Sequence, residues 1–319
     1  PRIGVVALLS VLLALGAPLP ADAQYFGRNK VNYDDFDWRI LHTEHFDVYA
    51  YEGMDTVAID AGRMAERWYV RDSILLDFGF DRKSLIFYAD HPDFQQTNVI
   101  SSILSEGTGG VTEGLRTRVI MPFTGVYAEN NHVLGHELVH VFQYSMAEKA
   151  GGLNRLGALP LWLVEGMAEY LSIGRSDPLT AMWMRDAALR DDLPTIEQLT
   201  TDPRYFPYRY GQALWAFIGG RWGDDAVRRV YLESLKRGGF EPALKLVLGL
   251  TEEQLSEAWR QQIRADYLPL VQGRTHPDSA GTSVLLQSEE TGDYNLSPVQ
   301  SPDGRWVAFF SRRGIFSVD

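Results

Sequence analysis

The residues best suited to chemistry lie in two short segments. In His136-Glu137-Leu138-Val139-His140, a helix would stack two imidazoles on one face, one turn apart, so that both can reach a single metal ion. Glu137 stands beside the first of them, close enough to act on water at that ion without binding the ion. Leu134, Leu138, Val141 and Ser145 would form a largely apolar stripe on the other side and anchor the helix in a core. Taken alone, this pattern also describes a helix with two solvated histidines. The second segment separates the two readings. Leu161 to Tyr170 is apolar on nearly every side of a helix, yet it carries Glu165 and Glu169 one turn apart. Buried carboxylates are costly unless a cation or a donor compensates them. Zinc and a ligand histidine would supply both, with Glu165 as third ligand and Glu169 accepting the remaining ring N–H of that histidine. Two His and one Glu, with a fourth position left to water, is the catalytic arrangement and not the closed structural one.

The elements that must position these residues can be read from periodicity. Phe36 to Tyr51 reads as strand, with Phe46, Val48 and Ala50 alternating against His45, Asp47 and Tyr49. From Asp55 to Phe78 the spacing is helical, with Val57, Ala61, Met64, Ala65, Trp68 and Leu75 on or near one face. Further strands are predicted at Leu85 to Ala89 and around Arg116 to Met121, the latter behind the flexible stretch Gly107 to Gly110. After Ala128 the pattern is helical almost to Tyr267. Strands first and helices afterwards predict an α+β fold, an N-terminal mixed sheet followed by a mostly helical lobe.

Composition narrows the function classes. The formal charge of −12 argues against nucleic acid as a partner. The absence of Cys removes thiol catalysis and every Cys-based metal site, so any zinc must be held by His, Asp and Glu. Arg2, the apolar run Ile3 to Leu15 and Ala21-Asp22-Ala23 read as a signal peptide, residues 1–23, with a mature start near Gln24. An exported, periplasmic or extracellular protein is expected, with no stable membrane span after cleavage; an uncleaved anchor is the alternative. His132 could reach a metal, but helix phase and the position of Glu137 favour His136 and His140. His42, His45, His91 and His276 are assigned to surface or turn positions.

The segment pair HELVH and WLVEGMAEY resembles the gluzincin clan of zinc peptidases, most closely the bacterial peptidase MA-like domains, over about Phe36 to Tyr267. The resemblance implies a Zn2+ site of His136, His140 and Glu165, with Glu169 supporting a ligand His. It implies hydrolysis of a polypeptide substrate by attack of a zinc-bound water, with Glu137 as general base. A weaker match, Tyr208-Arg209-Tyr210-Gly211, points to Tyr208 as the group that stabilises the tetrahedral intermediate. An aromatic that caps or packs its helix is the competing reading, and Tyr210 is the fallback. Where the aminopeptidase branch holds the substrate amino terminus with Gly-x-Met-Glu-Asn, this chain has Gly109 to Gly114, which argues against exopeptidase action.

Residues 24–270 are therefore expected to form the peptidase domain and 271–290 a linker. Residues 291–319, through Ser301-Pro302-Asp303-Gly304 and a strand at Arg305 to Phe310, resemble the first strands of a TolB-like β-propeller. An incidental hairpin is the alternative. A single propeller repeat cannot close, so the chain is expected to be a segment of a longer protein whose propeller could dock a protein partner. The rival to an enzyme is an envelope binding protein that works through its propeller and keeps the peptidase fold as scaffold.

Overall fold

A computed structural model of the chain describes residues 33–100, 104–284 and 295–311. The expected signal peptide, residues 285–290 of the expected linker, and residues 291–294 and 312–319 of the expected propeller segment lie outside the described residues. The fold is α+β. The described residues fall into two compact units, one of residues 33–277 and another that holds those from 278 onward.

The larger unit opens with an antiparallel pair, β1 (Trp38–His42) and β2 (Phe46–Tyr51), in which Trp38 faces Tyr51 and His42 faces Asp47. Phe46, Val48 and Ala50 are buried and their neighbours half-exposed, the period of two that the sequence predicts. Helix α1 (Asp55–Leu76) then crosses over to β3 (Lys83–Tyr88), which pairs parallel with β2. Parallel neighbours need a crossover of this kind. The helix ends two residues before the predicted Phe78, because Asp77 adopts a left-handed backbone (φ 46°) and returns its N–H to Ile74 O. Val57 is exposed, contrary to the predicted face; Ala58, one residue round the helix, takes the core position.

A four-residue helix, α2 (His91–Phe94), is capped by the Asp90 carboxylate and precedes β4 (Val111–Glu113) and β5 (Arg118–Pro122). The sheet order is β1-β2-β3-β5-β4, with β3 and β5 parallel and β4 and β5 antiparallel. Strand β4 is thus an edge. It was not predicted: three residues beside a glycine-rich stretch carry too little alternation to read. The strand predicted from Arg116 begins later, at Arg118, because Thr117 takes a positive φ of 53° in the β4–β5 turn.

Helix α3 (Tyr127–Lys149) lies on the sheet. Leu134, Leu138 and Val141 pack with Phe46, Val48, Leu85, Phe87, Val119 and Met121, so the predicted stripe is the packing face. After a 3₁₀ turn (Leu153–Ala158), the chain is helical: α4 (Leu161–Ile173), α5 (Pro178–Leu189), α6 (Ile196–Thr201), α7 (Pro207–Trp222), α8 (Asp224–Arg237), α9 (Phe240–Leu248) and α10 (Glu252–Val271). Their core is built on the fully buried Trp162, Trp215, Tyr231 and Trp259. Trp215 donates its indole N–H to Leu163 O at 3.0 Å and Trp162 to Thr200 Oγ1 at 2.9 Å, so neither large ring buries an unpaired donor. Helix α10 carries Pro269 inside its last turn and runs to Val271, past the Tyr267 near which the helical pattern was expected to stop. Among the described residues no helix is long and apolar enough to cross a membrane.

In the smaller unit, β6 (Asn295–Gln300) and β7 (Val307–Ser311) pair antiparallel around a turn at Ser301–Gly304. Asp303 Oδ1 accepts from Ser301 Oγ and from Arg305 N, the local bonding expected of such a turn residue. The strand begins at Val307, two residues after the predicted Arg305.

Candidate metal centre

Helices α3 and α4 face each other and bring His136, His140 and Glu165 to one point. The Nε2 atoms of the two imidazoles stand 3.1 Å apart, and each is 3.2 Å from Glu165 Oε2. The other ring nitrogens settle the tautomers. His136 Nδ1 is 3.0 Å from the Glu169 carboxylate, which can only accept, so it carries the proton. His140 Nδ1 is 2.7 Å from Gln143 Oε1. That amide is oriented in turn, because Gln143 Nε2 donates to Val164 O at 2.9 Å. Both Nε2 atoms therefore present lone pairs towards each other and towards a carboxylate oxygen. Such a donor set is self-repelling unless a cation sits among it.

Without a cation, a proton on His136 supplies the positive charge that this donor set calls for. Burial disfavours the His136 imidazolium, but hydrogen bonds to Glu165 and Glu169 outweigh it and raise the group to about 10. Burial would raise Glu165, yet its hydrogen bonds to His136 and His140 hold it well below the usual carboxylate range. Glu169 behaves likewise: burial is outweighed by His132 and His136, and the group falls to about 2. Among the described residues two groups have the composition and spacing to hold a metal ion: His136, His140 and Glu165, and a second made of His132, His136 and Glu169. In the second group His136 turns only its protonated Nδ1 towards Glu169, so the first group is the better donor set.

His132, one turn before His136, joins the site through Glu169. Its Nε2 is 3.1 Å from Glu169 Oε1, the same oxygen that takes His136 Nδ1. Arg209 Nη1, 3.4 Å from Glu169 Oε2, is held by Asp177 at 3.2 Å and closes the network on the α7 side. His42 and His45 flank the β1–β2 turn, His91 opens α2, and His276 follows α10; none joins the two groups.

Glu137 is buried beside the cluster and does not belong to it. Its Oε2 accepts from Thr112 Oγ1 of β4 at 2.6 Å. Of the two tyrosines proposed from sequence, Tyr208 is at the site. Its ring stacks on His136 at 5.8 Å, and its hydroxyl interacts with Glu165. Burial and the carboxylates of Glu165, Glu137 and Glu169 keep this phenol protonated far above neutral pH. Tyr210 points into the helical core against Tyr205 and Trp183 and is a packing residue. Tyr144, unnoticed in the sequence, stacks on His140 at 5.9 Å and is pushed up to about 12 by burial and by Glu165 and Glu137.

Gln143 and Tyr144 follow His140 by three and four residues, and helical spacing alone could have flagged them. Thr112 reaches Glu137 across 25 positions, and no local signal announces it. Glu113 accepts from the amides of Leu115 and Arg116 and from Arg118 Nε, so its carboxylate is committed to the β4–β5 turn. A cleft of about 850 Å³ between α5, α7 and α10 includes none of the residues of the two His/Glu groups. Compared with models of known protein families and with curated proteins, the chain gives no match.

Proposed function

We propose that the chain is a zinc-dependent peptidase of the gluzincin kind, in which His136, His140 and Glu165 hold the metal. The observation that carries this reading is the convergence of three lone-pair atoms at 3.1–3.2 Å. Donors of a tetrahedral zinc with bonds of about 2.0–2.1 Å stand roughly 3.3 Å apart, so the residues fit the ion almost without movement. When bound, the metal supplies a Lewis acid for the attacking water and the scissile carbonyl.

The chain's own residues divide the remaining work. Glu137 takes a proton from water as the new C–O bond forms, and passes it to the amide nitrogen as the C–N bond breaks. Tyr208, kept as a neutral phenol, donates to the carbonyl oxygen as negative charge develops there. The free edge of β4 runs beside the centre and offers backbone N–H and C=O groups to an extended peptide. A substrate amino terminus would find Glu113 already satisfied, which favours endopeptidase action. Export through the N-terminal segment and a β-propeller continuing from β6 and β7 belong to the same reading and rest on the sequence patterns.

Metal analysis of the purified protein tests it. Close to one zinc per chain is expected, with most of it lost in His140→Ala and Glu165→Ala. Full metal retention in His140→Ala sinks the site. A zinc-loaded protein that cleaves nothing in a broad peptide pool would favour the binding-protein alternative.

A further inference from the structure

Glu137 is held from two sides by the strand that precedes its helix. Thr112 and Gly110, two positions apart, face the same side of the β4 segment, and both touch Glu137. Thr112 is buried, and its hydroxyl has a single proton to give. Two acceptors lie within reach: Glu137 Oε2 at 2.6 Å and Glu137 O at 3.0 Å. The charged oxygen is both the nearer and the stronger acceptor. The second carboxylate oxygen, Oε1, lies against Gly110: a methyl built on that residue would stand 3.2 Å from Oε1, 3.1 Å from Glu137 Cγ and 3.0 Å from Val133 Cγ1. A bare Cα at 110 is what allows the strand to lie this close.

We propose that Thr112 is a positioning residue for the general base: its hydroxyl pins Oε2 of Glu137 and leaves Oε1 as the oxygen that receives the proton. The inference rests on the peptidase reading above. Its physical content is that a free glutamate side chain has three rotatable bonds, whereas this one is clamped at its far end by a hydroxyl anchored in the sheet. The same short edge strand offers its outer backbone to an extended peptide. Base and substrate edge are thereby registered to one another by one element and not by two independent ones. A loss of register of about 1 Å is enough to cost on the order of 10²-fold in rate.

The test uses the full, zinc-loaded chain and a peptide that the wild type cleaves. Thr112→Val keeps the shape and β-branching of the side chain and removes only the hydroxyl. It should lower kcat by about 10-fold or more, with KM within about 2-fold and zinc content unchanged. Thr112→Ser should restore most of kcat, because it restores the hydroxyl. Thr112→Ala, a second removal with no new methyl contact, should match Thr112→Val. In a Glu137→Gln background, Thr112→Val should cost nothing further, since the group it positions has lost its function. Wild-type kcat in Thr112→Val overturns the proposal, and so does an equal loss in the Ser and Val variants. An undiminished further loss in the Glu137→Gln background also overturns it, by assigning Thr112 a general structural role. These outcomes leave the peptidase reading standing, whereas a zinc-loaded wild type that cleaves no peptide overturns both.

Discussion

Two places in this molecule bury carboxylates, and they treat them in opposite ways. Between α3 and α4, Glu169 receives His136 and His132 on Oε1, while Oε2, itself without a hydrogen-bond partner, lies 3.4 Å from the Arg209 guanidinium, and the group stays ionised down to about 2. On α1, Asp72 is fully buried, with only Arg71 on Oδ1 at 3.0 Å, while Oδ2 has no hydrogen-bond partner. Burial dominates there and lifts Asp72 from 3.8 to about 7. Depth of burial is similar; the number and direction of donors differ. A carboxylate is kept charged in a protein interior only where donors or cations converge on it, and on the α3–α4 face two imidazoles and a guanidinium do so for Glu169. Glu137, the third buried carboxylate, has one strong hydroxyl donor in Thr112.

That contrast can be broken at each carboxylate. The largest effect is expected at Glu137. Glu137→Gln keeps size and helix propensity but cannot accept the proton, so peptide hydrolysis should fall by about 10²- to 10⁴-fold while zinc content and melting temperature stay near wild type. Parallel loss of zinc and activity would make Glu137 a ligand and erase the distinction drawn here.

A smaller effect is expected one shell out. Glu169→Met and Gln143→Met each remove the partner that fixes an imidazole tautomer, and zinc affinity should weaken by roughly 10- to 100-fold, as measured by competition with a chelator. Unchanged affinity in both would mean that packing alone orients the imidazoles.

The smallest effect is expected at Asp72, and it appears in stability. The folded-state value lies above the unfolded one, so the folded protein binds the extra proton, and stability falls as pH rises from about 4 to about 7. Denaturant unfolding of wild type and Asp72→Asn across that window should show a difference that grows by about 2–4 kcal/mol in favour of the variant, since a three-unit shift corresponds to roughly 4 kcal/mol. A difference that stays flat with pH would mean that Asp72 is not lifted.

The centre was legible because its chemistry is local. His136 and His140 share a helical face by spacing alone, and an apolar segment that carries Glu165 and Glu169 demands compensation. The tautomer-fixing role of Gln143 was within reach of the same spacing and was overlooked. Strand β4 and Thr112 were not legible, since three residues carry no period and a contact across 25 positions leaves no local trace. Asp72 escaped notice because Arg71 beside it suggests a surface pair, and only the packing of α1 shows that the carboxylate is interior. The α+β order was readable from the switch of period; the sheet order, with β5 between β3 and β4, was not.

Helices α4 and α7 meet at Gly166 and Gly211, where a methyl on Gly166 would overlap the backbone of Gly211 and a methyl on Gly211 would overlap the carbonyl of Trp162. Gly166 is the residue after Glu165, and Gly211 lies one turn after Tyr208. Main chain touches main chain at this crossing, so no rotamer change can take up slack between the two helices. The spacing of the helix segments that carry the Glu165 carboxylate and the Tyr208 phenol is therefore gauged by the van der Waals radii of backbone atoms, and side-chain substitutions elsewhere in the lobe can tilt the two helices only about this fulcrum.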